Sequence, residues 1–567
     1  MYTVLAGSAV PAFAQTPVPP TRDELDAVTQ QEAPPAPRLD IRGGIERSPC
    51  PLADPRYADL TVTVRNVTFN NLKGATPAEM MPAWESFRGK PAPLASICEI
   101  RDAAATLLRN KGYLAAVQVP TQRIEDGNVT LEVLYARVSA IRARGETGGA
   151  EAKLEQYLGH LTEDEIFDRF AAERYLLLAR DLPGYNVQLT LKPAGSGEVG
   201  DLIGEVTVLR RPYQLDFTAQ NLSSKATGRW GGQLRGQVFG LTGMGDATFA
   251  SLYSTADFSE QQIAQIGHSF RPGSEGLTVS GAFTYAWTKP GVPSRPGVPD
   301  VTADTLLATV SARYPLVRSQ ERNLWLGGGL DFVNQDVEFI GPLTEDKLRV
   351  GYLRASTDGI DLSRRIPRWR YSLTGEIRKG LDIFGASDGC VGTGCVGFVP
   401  TSRIDGEATA MLVRGAGEFE LALGTEAALS VSPRAQYAFD RLLSFEEYTI
   451  GNYTIGRGYD PGAVTGDSGI GAAFELRGPR LKPTSNKTFT AQPYGFFDYA
   501  AAWQKGIRGS VDLASAGAGM RVAFSDMAAL DAAVAIPFDR TPLETEKGDV
   551  RFLLSFSTRI LPWSLSQ

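Results

Sequence analysis

Few side chains in this 567-residue sequence are spaced for chemistry, and the best placed is an arginine. Arg457 stands in the run Ile455-Gly456-Arg457-Gly458-Tyr459-Asp460-Pro461-Gly462, and Gly466-Asp467-Ser468-Gly469 follows shortly after. Glycines on both sides let the backbone approach another segment closely or take up positive φ. A guanidinium offers five donors on a rigid fork to a single carboxylate. A partner is available in Tyr494-Gly495-Phe496-Phe497-Asp498-Tyr499, which reads as a strand. Alternation puts Phe497, Tyr499, Ala501 and Trp503 on one face and Asp498 on the other. The chemistry implied is adhesive rather than catalytic: Arg457 is expected to reach Asp498 inside a closed barrel and hold a glycine-rich loop there.

Gly466-Asp467-Ser468-Gly469 also spells part of a serine-protease signature. A hydrolase needs a base and an oxyanion hole within reach of the serine. The sequence has two histidines, His160 at a helix end and His268 in a strand pattern, and neither stands in a triad context. Ser468 opens a strand alternating Ile470, Ala472, Phe474 and Leu476. Asp467, with Gly466 before it and Gly469 two residues on, is therefore read as holding the turn where the loop rejoins the wall. No catalytic residue, metal ligand set or cofactor is assigned. Four cysteines form two local pairs: Cys50 with Cys98 would pin the leading segment to a helix start, and Cys390 with Cys395 would close a small Gly-rich loop. The second pair lacks further Cys or His nearby for a metal site. Disulfides suit an oxidising compartment. Residues 1–14, from Val4-Leu5-Ala6 to Ala12-Phe13-Ala14, agree, reading as a signal peptide without its basic start.

The elements that must position these residues come in two kinds. Net charge is −7 and the pI about 5.3, without the basic footprint of a nucleic-acid binder. No apolar run reaches transmembrane-helix length, which leaves open a membrane β-barrel, whose strands are only half apolar. Residues 15–59 are rich in Pro, Gln and Ala, with a short helical piece from Thr21 to Glu32 carrying Leu25 and Val28; the composition favours a linker over a docked helix. From Leu60 the order is strand (Leu60 to Val64), helix-like segment (Pro77 to Phe87) and helix (Glu99 to Lys111, stopped by Gly112). Strands Val117 to Ile124 and Asn128 to Tyr135 follow around Glu125-Asp126-Gly127. The order then repeats: strand Arg137 to Arg144, helices Ala150 to Gly159 and Thr162 to Arg180, strands Val187 to Lys192 and Leu202 to Leu209. A capping box of Thr162 and Glu165 is expected to open the second of those helices. Two β-α-α-β-β units thus occupy residues 60–136 and 137–211.

Residues 212–567 lose helical periodicity and gain recurrent turns. At roughly 20 residues per membrane strand and turn they supply about 16–18 strands. Val550, Phe552, Leu554, Phe556 and Ile560 oppose Arg551, Ser555, Ser557 and Arg559; Trp230, Leu234 and Val238 oppose Arg229, Gln233, Arg235 and Gln237. A soluble sandwich would need a second sheet over each apolar face, so a barrel is expected. Counting places a ninth strand near Trp369 to Phe384, a tenth from about Ser402 and an eleventh over about Leu421 to Tyr437. If the first strand rises from the periplasm, the cysteine loop lies outside. So does the Arg457 loop, about residues 446–466, which becomes the sixth external loop.

On these motifs the chain resembles the transporters of two-partner secretion (TpsB, the ShlB/FhaC/HecB haemolysin secretion/activation type, within the BamA-like outer-membrane superfamily). Lys111-Gly112-Tyr113 and Asp126-Gly127-x-Val129-x-Leu131-x-Val133 are similar to the first POTRA domain of that family, although Tyr135-Ala136 stands where its last strand runs into Glu-Gly. Gly456-Arg457-Gly458-Tyr459 matches the family's Val-Arg-Gly-Tyr/Phe loop tip except at Gly456. Phe496-x-Asp498-x-Ala500 matches its Phe-x-Asp-x-Gly wall motif except at Ala500. Gly466-Asp467-Ser468-Gly469 with Glu475-Leu476, and Gly245-Asp246, match as well, while Ile560 replaces the family's terminal aromatic. The resemblance implies two tandem α+β POTRA domains and a sixteen-stranded antiparallel outer-membrane barrel. Its sixth loop would fold into the lumen, with Arg457 bonded to Asp498. It implies a monomeric, non-enzymatic transporter that takes a large β-helical exoprotein from the periplasm through its POTRA domains and secretes it unfolded. The competing readings are a BamA-like assembly factor, which would usually bring more POTRA domains, and a passive porin, which would have no use for the periplasmic region.

Overall fold

The computed structural model describes residues 19–29, 49–145, 148–149, 151–195, 200–291, 300–364, 366–388, 399–424, 426–482, 489–524, 527–542 and 544–561. Residues 1–14, the Cys390/Cys395 pair and residues 562–567 lie outside them. The first helix, α1 (Arg22–Thr29), belongs with the barrel. The first α+β unit follows it. Its sheet has the order β2 (Asn66–Asn70), β5 (Asn128–Tyr135), β4 (Ala115–Gln118), with β2 parallel and β4 antiparallel to β5. A separate pair is formed by β1 (Thr61–Thr63) and β3 (Pro91–Pro93). Thr76 and Glu79 form a capping box at α2 (Pro77–Met80). The long helix α3 (Ser96–Asn110) lays Ile97, Ile100, Ala104 and Leu108 on Val129, Leu131 and Val133. Gly112, at φ +99°, lets the chain leave it. The Cys50–Cys98 disulfide ties the leading segment to the first turn of α3, as the spacing suggested.

One expected strand is cut short. β4 ends at Gln118 rather than near Ile124, because Pro120 has no N–H for a ladder. The Gln122 side chain takes over, donating to the Thr130 carbonyl (2.6 Å) and accepting from its N–H (2.8 Å). The turn itself forms as read, with Asp126 and Gly127 at positive φ.

The second unit repeats the plan: β6 (Arg137–Gly145), α4 (Glu151–Glu163), α5 (Arg169–Arg180), β7 (Tyr185–Pro193) and β8 (Asp201–Arg210), in sheet order β6-β8-β7. Here the expected capping box is wrong. Leu154, Tyr157, Leu158 and Leu161 continue one buried stripe, which carries α4 past Gly159 and through Thr162. Asp168 caps α5 instead, accepting from the Phe170 N–H at 2.7 Å, and Glu165 reaches Lys73 of the first unit at 2.8 Å.

Among the described residues, sixteen antiparallel strands then close into a barrel. They begin with β9 (Tyr213–Gln220), β10 (Gly231–Phe239), β11 (Ala247–Thr255), β12 (Gln261–Phe270) and β13 (Thr278–Thr288). They continue with β14 (Thr302–Arg318), β15 (Arg322–Glu338), β16 (Pro342–Ile360), β17 (Trp369–Gly380), β18 (Met411–Leu423) and β19 (Ala427–Ala438). A small hairpin, β20 (Tyr448–Ile450) with β21 (Val464–Gly466), interrupts the sequence. The wall resumes with β22 (Ser468–Arg477), β23 (Phe489–Trp503), β24 (Val511–Phe524), β25 (Ala528–Pro537) and β26 (Arg551–Leu561), which pairs back onto β9. Leu252, Ile266, Leu353 and Phe552 face outward and exposed, while Asp331, Arg378, Glu475 and Asp498 of the opposite parity are buried inside. The tenth strand starts at Met411, not near Ser402. The chain before it turns inward, Ser402 N donating to Asp346 (2.8 Å) and Arg403 reaching Asp467 (2.6 Å).

The second α+β unit is clamped to the strand-end turns of the barrel. Arg318 of β14 forks onto both oxygens of Asp181, at 2.7 Å each, Lys153 donates to the Gly273 carbonyl at 2.8 Å, and the Gln320 N–H donates to Glu173. The largest departure from expectation is α1, which is no linker. It sits inside the barrel, with Leu25 1% exposed in a cluster with Tyr253, Ile263, Leu307, Val333 and Phe445. Thr21 and Glu24 cap it reciprocally. Arg22 and Asp23 attach it further by charge, which an apolar-stripe reading does not detect.

Candidate functional site

The loop between β19 and β22, residues 439–467, folds back into the lumen as the β20/β21 hairpin. At its tip Gly456 takes φ +114°, which presents Arg457 to the wall. Asp498, wholly buried, accepts the Arg457 backbone N–H at 2.9 Å, Nε at 3.0 Å and Nη2 at 2.7 Å. The remaining fork nitrogen, Nη1, donates to Glu475 at 3.1 Å, and the guanidinium lies 3.7 Å over the Phe496 ring. Burial opposes the Arg457 charge, but bonding to Asp498 outweighs it and holds the guanidinium pKa above its ordinary value.

Gly458 passes so close to the wall that a Cβ there would sit 2.7 Å from Ser515 Cβ, and its N–H donates to Ser515 Oγ at 3.2 Å. Tyr459 sends its hydroxyl to the Ala514 carbonyl at 2.7 Å and accepts from the Asp539 N–H at 2.9 Å. At the return of the loop, buried Asp467 accepts from Arg403 (2.6 Å) and from the N–H groups of Leu442 and Lys505 (2.7 Å each). Gly466 and Gly469 bring that turn against Trp503 and Tyr448 with no room for a side chain.

The structure brings Arg457, Gly458, Tyr459, Phe496 and Asp498 together and places Asp467 at the return of the loop. Ala500 replaces the glycine of the family pattern without loosening the fit. Its methyl is buried with Tyr448, Ile450, Ile455, Tyr459 and Val464, and Gly471 opposite supplies the close approach. The loop is therefore held by apolar packing as well as by charge.

A second cluster was not legible in advance. Arg378, 1% exposed, donates to Asp331 (2.8 Å), Glu376 (2.8 Å) and both oxygens of Glu446 (2.7 Å each). Arg22 of α1 joins it through Asp331 at 2.5 Å and lies 3.9 Å from Glu446. Asp23 of α1 pairs with Arg434 and accepts from Thr449 Oγ1 at 3.1 Å, so α1 touches both the wall and the loop hairpin. The α1 residues lie hundreds of positions from their partners, and alternation alone assigns the wall residues only to a lumen face. Glu475 was matched as a motif without a role; it takes Arg457, Arg477 and Arg521 together. Burial pushes the Glu24 carboxyl up to about 7. Both histidines are structural: His160 stacks on Tyr175 and His268 bonds Thr248. Among the described residues no group of three or more His, Cys, Asp or Glu side chains is arranged to hold a metal ion.

A family model described as haemolysin secretion/activation protein ShlB/FhaC/HecB matches residues 206–522, and one described as POTRA domain, ShlB-type, matches residues 62–135. The heme/hemopexin transporter protein HuxB of Haemophilus influenzae is 22% identical over 493 residues, 83% of this chain and 82% of HuxB. The structure of CdiB from Escherichia coli superposes with a TM-score of 0.73 at 17% identity, covering 91% of this chain and 94% of that one. CdiB from Acinetobacter baumannii gives 0.64, also at 17% identity, covering 95% and 96%.

Proposed function

This chain belongs to the ShlB/FhaC/HecB haemolysin secretion/activation family, and on that premise we propose that it exports one polypeptide through a lumen kept shut by α1 and the sixth external loop. It is a two-partner secretion transporter of the outer membrane, with POTRA domains in the periplasm and an exoprotein as partner. Members of the family are transporters.

The passenger is a large β-helical protein, and it arrives extended. It adds a strand to an open sheet edge, such as β4 or β7, or lays an apolar stripe in a POTRA groove. Residues 60–136 and 137–211 are the two receiving domains and 212–567 the pore, working as a monomer in outer-membrane lipid. Arg457, Gly458 and Tyr459, with Phe496 and Asp498, hold the loop against the wall, and Gly466, Asp467 and Gly469 set its return. Passage of the chain displaces α1 and rearranges the loop. Folding of the passenger outside supplies the drive, since the periplasm offers no nucleotide.

The observation that carries this reading is the double closure: two separate elements fill one lumen and touch each other through Asp23 and Thr449. A passive pore has no use for that. The test is export. Cells carrying this chain and a co-encoded large secreted protein should release that protein into the medium, and deleting the chain should retain it in the periplasm. Unimpaired release from the deletion strain, or a general loss of outer-membrane barrels from it, would refute the assignment.

A further inference from the structure

The end of the lumen nearest the second POTRA domain holds a chamber of about 850 Å³ between α5 and the barrel wall. Arg271, Arg313, Arg318, Arg370 and Trp325 line it, together with Asp181 at the end of α5. Positive charge is in surplus there. Asp181 spends both oxygens on Arg318. Arg313 feels attraction from Asp181 and, more weakly, from Asp358, and repulsion from both Arg271 and Arg318; Asp358 accepts from Asn323 Nδ2 at 2.7 Å. Among the described residues, no carboxylate lies at ion-pair distance from Arg271 or Arg313. The Arg271 Nε lies 3.4 Å from Thr278 Oγ1, while its Nη1 is shielded from solvent without a partner. Arg313 lies 3.9 Å over the Trp325 ring, an arrangement that leaves its in-plane N–H groups open for a bidentate acceptor. The acidic side chains on the far wall are occupied: Glu418 and Glu420 both bond Arg477.

Elsewhere in the same lumen, arginines already hold an acidic peptide segment, because Asp23 of α1 is paired with Arg434. We propose that the chamber is a receiving site for a carboxylate-bearing stretch of the exported polypeptide, engaged through Arg271 and Arg313 before that chain reaches α1. The inference rests on the transport reading. The site is walled by strands and α5, away from the lipid-facing surface. It lies on the route inward: Trp325 is six residues nearer the POTRA end of β15 than Asp331, which holds Arg22. An exposed guanidinium, Arg313, beside a half-buried one, Arg271, suits a transient grip, strong at low salt and weaker at physiological salt.

The test uses the full-length chain in lipid nanodiscs and three labelled short peptides, Glu-Ser, Gln-Ser and Lys-Ser copolymers, titrated by fluorescence anisotropy. The Glu peptide should bind about tenfold or more tighter than the Gln peptide, as charge-assisted bonds imply. R271Q/R313Q should lose that preference. Lys289→Gln, which removes a cation from the external end of the pore, should keep it. Equal affinity for the Glu and Gln peptides, or a preference that survives in R271Q/R313Q, overturns the proposal. Export is scored in parallel. A wild-type chain that exports its passenger but shows no Glu preference sinks the chamber assignment alone, whereas a chain that exports nothing takes the transport reading down with it.

Discussion

Replacing Arg457 by alanine strands one buried charge. Asp498 loses the Nε and Nη2 donors and keeps only the backbone N–H of residue 457. Glu475 is not stranded, because Arg477 and Arg521 still reach it. An unpaired buried carboxylate costs about 3–5 kcal/mol, which weakens loop docking by a factor of about 10²–10⁴. The barrel does not depend on this pair for its ladder of strands, so it should still insert and keep its heat-modifiable mobility. Proteinase K added from outside should then cut within residues 439–467 of the variant and spare the wild type, and export should fall by about tenfold or more. Adding Asp498→Ala removes the stranded charge, so the double variant should regain about 1–3 kcal/mol relative to additivity. A loop as resistant in Arg457→Ala as in the wild type, or strictly additive losses, would refute this reasoning.

Four further outcomes are expected. Arg22→Ala removes the bond to Asp331 and should weaken α1 docking by about 1.5–3 kcal/mol; planar-bilayer recordings should show openings about tenfold more frequent. Burial pushes Glu24 up to about 7 from an ordinary 4.5, so docked α1 holds a proton that the free helix has lost between those values. Docking should therefore tighten as pH falls from about 7 to 4.5, with fewer openings, and Glu24→Gln should flatten that response; Asp26, also raised by burial, acts in the same sense, and Asp23, where Arg434 overcomes burial and lowers the pKa, titrates below the window. Gly458→Ala drives a methyl into Ser515 and should cost about 1–3 kcal/mol of docking, with export partly restored by Ser515→Gly. Cys50→Ser with Cys98→Ser opens a loop spanning 48 positions and should make the first POTRA domain cleavable at a temperature the oxidised chain withstands, a loss of about 2–4 kcal/mol.

The barrel was legible because a membrane strand writes its two environments into alternate residues, so Phe497 and Asp498 declare opposite faces without any long-range information. Arg457 and Asp498 could be paired from sequence because glycines free one backbone and a strand orients the other. Arg378 could not: Glu376 shares its strand and face, but Asp331 comes from two strands away and Glu446 from the in-folded loop, and alternation does not give the register that sets them against it. The helix α1 was misread for a related reason. Its described apolar contact is Leu25, and its fixed position comes from Arg22 and Asp23 finding complementary charges far along the chain. Thr162 and Glu165 show the limit of local signatures: their spacing allows a capping box, yet the buried stripe through Leu161 outweighs it.

The central claim is that the sixth external loop lies clasped inside the barrel, and amide hydrogen exchange at its tip tests this most directly. In the lipid-embedded chain the N–H groups of Arg457 and Gly458, bonded to Asp498 and Ser515, should exchange at least about tenfold more slowly than free amides and lose that protection in Asp498→Ala. Exchange at the free rate in the wild type would contradict it.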